Sequence, residues 1–177
     1  MNLDNANRQN VKRLISLFPG VHLRMLSRYL GVSLNTARYH LLNLEKNGEV
    51  FCRREGEYLR AYPPWAADER SMGIYAVLQQ KSARRILRVI LSEARLGGLS
   101  MSNDKISSFA HLSQSTVSEY LTLLRDLQLV KRVITREGRV VFEISQEARE
   151  RLSTILGSYD ENVLSRTTDR YLSLWEF

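Results

Sequence analysis

Val11, Leu14, Ile15 and Phe18 fall at i, i+3, i+4 and i+7, a spacing that predicts an amphipathic first helix, stopped by Pro19-Gly20. Leu26 and Leu30 then lie one helical turn apart before Gly31-Val32-Ser33 breaks the pattern. Ser33 is placed to cap the next helix, because its hydroxyl can accept from an exposed amide in the first turn. That helix keeps Ala37, Leu41 and Leu44 on one stripe and ends at Asn47-Gly48. Two short helices joined by a three- or four-residue turn make a helix-turn-helix. The period then changes: EVFCRREGEYLRAY predicts a β-hairpin with its turn at Arg54-Glu55-Gly56-Glu57.

The same order returns later in the chain. At a constant offset of 80, residues 26–50 align without a gap on 106–130, with Ser27/Ser107, Ser33/Ser113, Thr36/Thr116, Leu41/Leu121, Leu44/Leu124 and Val50/Val130 identical. The apolar class is kept at Leu26/Ile106, Tyr29/Phe109, Leu30/Ala110, Val32/Leu112 and Ala37/Val117. Shared periodic positions of this kind indicate a repeated structural unit. Upstream of the second copy, ARRILRVILSEARLGG supplies a helix with Ile86, Leu87 and Ile90 inward and Gly97-Gly98 as its stop. Downstream, LVKRVITREGRVVFEI supplies a hairpin with Arg136-Glu137-Gly138 at its turn, now offset by 82, so the two extra residues are expected before the turn.

The expected fold is mainly α with small β-hairpins, an α+β chain of two tandem winged helix-turn-helix domains with C-terminal helices. Residues 1–64 form the first domain, 65–81 a helical linker, 82–146 the second domain and 147–177 a helical tail. Pro63-Pro64 closes the first hairpin in extended conformation, and a helix over 66–80 would place Met72, Tyr75 and Leu78 roughly on one face. The tail should open at an N-cap Ser145 with Ala148, Leu152, Ile155 and Leu156 inward. Its last segment carries Tyr159, Val163, Tyr171, Leu172, Leu174, Trp175 and Phe177, a large apolar load for packing on its own domain, for a homodimer interface or for a partner.

Charge sharpens this picture. Residues 1–62 hold 10 Lys/Arg against 5 Asp/Glu, for +5, and residues 82–145 hold 10 against 6, for +4. Residues 146–177 hold 4 against 6, for −2, so the positive charge of the chain follows the two repeats, as a polyanion-binding protein would arrange it. Cys52 stands alone and fits a small buried hydrophobe in a reducing cytoplasm. His22, His40 and His111 are scattered, with no cysteine pair or carboxylate cluster at metal spacing. Gly97-Gly98 is followed by Leu99-Ser100, which is no phosphate-cradling loop, and no nucleophile sits beside a base. These readings predict no metal, no cofactor and no enzyme, and the lack of a long apolar run predicts no signal peptide and no membrane span.

The stretch LSQSTVSEYLTLLRDLQLVKRVITREGRVVFEI resembles the winged helix of arsenic-repressor (ArsR) type prokaryotic regulators, within the wider ArsR- and MarR-like winged-helix superfamily. VSLNTARYHLLNLEKNGEV resembles the first half of tandem winged-helix regulators common in archaea. The resemblance covers about 130 of the 177 residues, and the Ser-x-x-Thr-x-x-x-x-Leu-x-x-Leu pattern recurs in both copies. It implies a cytoplasmic, double-stranded DNA-binding transcription regulator, with the second helix of each motif in the major groove and the hairpins along the backbone. In the first copy the stripe opposite the core is Asn35, Arg38, Tyr39 and Leu42, with Thr36 in the first turn. Asn pairs bidentately with adenine and Arg with guanine or phosphate. Arg53, Arg54 and Arg60 of the first hairpin would meet phosphates. The second copy offers Gln114, Ser115, Thr116 and Ser118, with Lys131, Arg132, Arg136 and Arg139 on its hairpin. Glu119 is a liability near phosphates unless it accepts from a cytosine amine, which makes the first motif the stronger expected contact. His40 and Tyr120 occupy equivalent positions at the edge of the apolar stripe, where packing is expected. The rival reading is a tandem winged-helix scaffold that binds proteins, because fold alone does not decide function.

Overall fold

Helix α1 (Leu3–Leu17) forms where the first apolar stripe predicts it, and Val11, Leu14, Ile15 and Phe18 are all buried. The computed structural model describes residues 3–95, 100–145, 147–149, 152, 155 and 156. After α1 come a short strand β1 (Val21–His22), helices α2 (Leu23–Leu30) and α3 (Leu34–Lys46), and the hairpin β2 (Phe51–Glu55) and β3 (Tyr58–Tyr62). A 3-10 turn (Pro64–Ala66) and helix α4 (Glu69–Leu78) follow. Then come α5 (Lys81–Arg95), α6 (Asn103–Ala110), α7 (Gln114–Asp126) and the hairpin β4 (Val130–Ile134) and β5 (Val140–Ile144). The chain is thus α+β, and its described residues divide into two compact units between Ala76 and Val77, inside α4.

In the first unit α1 packs on α2 and α3, burying Val11, Ile15, Leu26, Ala37, Leu41 and Leu44 completely. Each of the valine, leucine and isoleucine side chains contributes roughly 1.5–3 kcal/mol relative to exposure. Lys12 Nζ reaches Glu49 Oε2 at 2.7 Å and Arg8 pairs with the same carboxylate, tying α1 to the turn after α3. The sheet runs β1-β3-β2, all antiparallel, with Val21 opposite Ala61. In the second unit α5 packs on α6, α7 and β5, with Ile86, Leu87, Ile90, Ile106, Leu121 and Leu124 buried. Met101 stands where Val21 does in the first copy, and it exchanges two hydrogen bonds with Phe142, at 3.0 and 2.8 Å. The sequence pattern gives no sign of either short third strand.

The helix-turn-helix frame repeats bond for bond. Ser27 Oγ donates to Val32 O at 2.7 Å, and Ser107 Oγ donates to Leu112 O at 2.6 Å. Ser33 Oγ accepts from the Thr36 amide at 3.0 Å, and Ser113 Oγ accepts from Thr116 at 3.2 Å. Between the helices the chain turns through Gly31 at φ +62° and, in the second copy, through His111 at φ +52°. After α3 it turns through Gly48 at φ +69° and after α7 through Gln128 at φ +59°. His111 and Gln128 are the only non-glycine residues at positive φ among those described, and both stand where the first copy has glycine. The left-handed turn is therefore imposed by the frame, and the second unit holds it against the Cβ clash that costs about 1–2 kcal/mol.

Three expectations need correction. The two hairpins have strands of equal length, five residues each, and differ in their connections, which are Gly56-Glu57 in the first and residues 135–139 in the second. The extra residues lie in the loop, where Thr135 N and Gly138 N close it on Arg139 O and Thr135 O, each at 2.9 Å. Arg54 and Glu55 are strand residues, so the first turn begins at Gly56. Ser145 is a buried anchor rather than a side-chain cap: its hydroxyl donates to Gln128 O at 3.1 Å while its carbonyl accepts from Ala148 and Arg149. Gly97-Gly98 and nearly all of the predicted tail lie outside the described residues, although Ala148, Leu152 and Leu156 are buried.

The positive-φ frame predicts opposite effects in the two copies. Gly48→Ala adds a Cβ that meets nothing within 4 Å, so its cost is backbone strain alone, about 1 kcal/mol. Gln128→Gly removes that strain and should gain up to about 1 kcal/mol, less the extra chain entropy of glycine. Urea unfolding of both variants checks this, and unchanged midpoints for the pair would show the turns to be unstrained.

Candidate nucleic-acid interface

Burying Ala37, His40, Leu41 and Leu44 of α3 fixes which side of that helix faces water. Asn35, Arg38, Tyr39 and Leu42 all lie on the exposed side, as the projection from sequence requires. Arg38 has no ion pair among the described residues, and Tyr39 only rests edge-on against His40, ring centroids 5.3 Å apart. Thr36 serves the cap, its hydroxyl 2.8 Å from Ser33 Oγ. The only carboxylate on α3, Glu45, lies beside the Cys52 thiol. Burial, with the Glu45 charge added, pushes that thiol up to about 12, which leaves it inert.

The three arginines of the first hairpin have different surroundings. Arg53 and Arg60 face each other across β2 and β3, an arrangement of like charges that needs counterions. Each has one: Arg53 Nη1 lies 3.0 Å from Glu69 Oε1, and Arg60 Nε lies 2.8 Å from Glu55 Oε2. Arg60 also donates from Nη1 to Gly20 O at 2.9 Å, and its side chain is only 12% exposed. Tyr62 donates its hydroxyl to the same Glu55 at 3.0 Å, and burial holds its ionisation far above the usual range. Arg60 thus pins the hairpin to the turn after α1. Arg54 projects from the opposite face of the sheet, exposed and without an ion pair among the described residues.

Sequence reasoning passes over Arg24 and Arg28, spaced i, i+4 on α2 and both exposed. With Arg60 they surround His22, whose Nδ1 accepts from Met25 N at 3.2 Å and so caps α2. His22 also lies against Tyr58, ring centroids 5.1 Å apart. Their i, i+4 spacing at the start of a basic helix is the signal that could have found these arginines.

In the second unit Gln114, Ser115 and Ser118 are exposed, but each is engaged within its own unit. Gln114 donates to Asp104 Oδ1 at 3.1 Å, Ser115 Oγ lies 2.9 Å from Ser113 Oγ, and Asn103 donates to Ser118 Oγ at 2.6 Å. Thr116 pairs with Ser113 as Thr36 does with Ser33. Glu119 is exposed, and Tyr120, half-buried, donates to the Gln80 side chain. Lys131, Arg132, Arg136 and Arg139 are all exposed on the second hairpin. Arg139 has Glu137 at 3.5 Å, both strongly solvated, a pairing worth little. Lys131 and Arg132 line an open groove with Arg125, Gln128, Ser145 and Glu147. Among the described residues no group of three His, Cys, Asp or Glu is placed to hold a metal, and no helix is long and apolar enough to cross a membrane.

The His22 cap carries a pH dependence. Burial first, then Arg60, Arg28 and Arg24, hold its pKa below the ordinary 6.5, so the folded protein keeps it neutral while the unfolded chain takes up a proton. Stability from this residue is full above about pH 6.5 and is lost as pH falls toward the depressed folded value. Asn accepts the same amide at every pH, so His22→Asn should flatten the stability profile between about pH 8 and about pH 5. Denaturant midpoints across that range check it, and parallel profiles for the two proteins would remove the cap as the cause.

No family model and no curated protein matches this chain. Among solved structures, it is similar to a candidate DNA-binding protein from Ralstonia eutropha JMP134, at 22% identity over 43% of this chain and 95% of that one, TM-score 0.38. ScpB from Mycobacterium tuberculosis matches at 15% identity over 84% of this chain and 96% of its own, TM-score 0.33. A point mutant of ZitR from Lactococcus lactis matches at 16% identity over 81% and 96%, TM-score 0.35.

Proposed function

We propose that this chain is a sequence-specific double-stranded DNA-binding transcription regulator. Helices α3 and α7 enter the major groove, the two hairpins run along the backbone, and α3 makes the stronger contact. The observation that carries the reading is the outer face of α3, where Asn35, Arg38 and Tyr39 stand exposed with no hydrogen-bond or ion-pair partner among the described residues. Hydrogen-bonding groups held on a rigid helix and left unpaired are suited to base edges, and Arg38 suits guanine or phosphate. Arg54, Arg24 and Arg28, exposed nearby in the first unit, suit phosphates, which position without reading sequence. Arg53 and Arg60 are the weaker candidates, because Glu69 and Glu55 already neutralise them.

A second reading belongs to the second unit. Gln114 and Ser118 would have to leave Asp104 and Asn103 to reach bases, and Asp104 and Glu119 place carboxylates on that face. This favours α7 as a surface for a protein partner while the basic second hairpin holds backbone. A homodimer through the tail, 147–177, would double the number of units on DNA and favour palindromic sites.

Fluorescence anisotropy of the full chain against pooled genomic duplex fragments tests the reading. A subset of fragments should bind tightly and weaken steeply as salt rises, through counterion release. Arg38→Ala should cost roughly 1–3 kcal/mol on that subset and blur the preference, whereas Arg54→Ala should weaken all fragments alike and lower the salt slope by about 1. No binding to any fragment at low salt would end the DNA reading and leave the scaffold.

A further inference from the structure

The two units share one frame but not one outer face, and the difference is confined to chemistry at matched positions. Along α3 the exposed row is Leu34, Arg38 and Leu42, spaced i, i+4 and i+8, with Tyr39 beside it. Along α7 the same row is Gln114, Ser118 and Thr122, with Glu119 beside it. Leu34 is 42% exposed, Leu42 49% and Tyr39 55%. None of them contributes to the core, which Ala37, Leu41 and Leu44 supply in full. Large apolar groups left open on a helix that already has a complete core mark a contact surface.

The charge on that surface decides what it contacts. Arg38 lies between the two leucines, Glu45 seven residues on is half-buried beside Cys52, and the unit around them is basic, with 10 Lys/Arg against 5 Asp/Glu over residues 1–62. The matching partner is anionic overall and carries apolar points spread along the row, which spans about 12 Å from Leu34 to Leu42. A duplex major groove meets both conditions where it carries thymine, since each thymine presents a C5-methyl group among acceptor and donor edges. Asn35, exposed on the same side, fits the N6 and N7 of the paired adenine.

Resting on the DNA reading above, we infer that α3 selects thymine-containing sites by apolar contact of Leu34, Leu42 and Tyr39 with thymine methyl groups. The α7 row lacks these leucines and the tyrosine and offers thymine only the Thr122 methyl, so its preference is weaker. The two units therefore read different chemistry through the same helix-turn-helix geometry.

Deoxyuridine provides the test, because it removes only the methyl and keeps every base-pairing and groove hydrogen bond. The probe is a tight-binding genomic duplex synthesised with thymidine or with deoxyuridine throughout, titrated against the full chain, Leu34→Ala/Leu42→Ala and Gln114→Ala/Thr122→Ala. All the replaced side chains are exposed, and circular dichroism confirms that the variants fold. For the parent, deoxyuridine should weaken binding by roughly fourfold for each methyl contacted, the factor expected for burying one methyl-sized group. The leucine variant should lose most of the discrimination and keep only the part that Tyr39 supplies, and the α7 variant should keep the parent's discrimination. Equal binding of the two duplexes by the parent overturns the inference and leaves the DNA reading standing. Undiminished discrimination by the leucine variant overturns the assignment to Leu34 and Leu42. Failure of both duplexes to bind removes the DNA reading and this inference with it.

Discussion

The left-handed turn between α2 and α3, and its copy between α6 and α7, sets which side of the second helix the protein can offer outward. Its geometry rests on a few small contacts. A positive-φ residue reverses the chain, the Ser27 or Ser107 hydroxyl closes the turn on the carbonyl five residues on, and Ser33 or Ser113 caps the helix that follows. With the helix direction fixed, Ala37, Leu41 and Leu44, and in the second copy Val117, Leu121 and Leu124, meet the core and the opposite stripe faces solvent. Each cap is worth about 1 kcal/mol. That is small beside the core, which fixes the helix's orientation, and the cap sets where the helix begins on that frame. The second unit keeps the turn with His111 and Gln128 in place of glycine, so the geometry is worth its strain.

On this common frame the two units use their charges differently. Much of the basic character of the first unit is structural: Arg8 and Lys12 hold Glu49, Arg53 holds Glu69, and Arg60 holds Glu55 and the Gly20 carbonyl. Among the described residues, Arg13, Arg24, Arg28, Arg38, Lys46 and Arg54 are exposed without an ion pair, and they lie on α1, α2, α3 and the hairpin. In the second unit Gln114 and Ser118 of α7 are exposed but bonded to Asp104 and Asn103, and four of the exposed cations, Lys131, Arg132, Arg136 and Arg139, lie on the second hairpin. A net charge alone hides this division, because it counts a guanidinium buried against a carboxylate the same as one in water.

The parts of this account legible in the sequence are the local ones. Stripe spacing located α1, α3, α5 and α7 and their buried residues, and the serine before each second helix announced its cap, because these depend on neighbours within one turn. The fate of Arg60, Gln114 and Ser118 was not legible, since their partners Gly20, Asp104 and Asn103 reach them only through tertiary folding. The third strand escaped for the same reason: Val21-His22 and Met101 are too short to show a period, and pairing with β3 or Phe142 alone defines them. The hairpin lengths were misplaced because Arg-Glu-Gly stands at a different point of each turn, so matching the motif shifted the strands.

The central claim, that the frame exists to present the outer face of α3 to DNA, is tested most directly by amide NMR of the isotope-labelled full chain titrated with a duplex it binds. The account predicts the largest shift changes at Leu34–Leu42 of α3 and near Arg54 on the first hairpin, with smaller ones along β4 and its loop. Changes confined to α1, or to α7 with α3 silent, would contradict it.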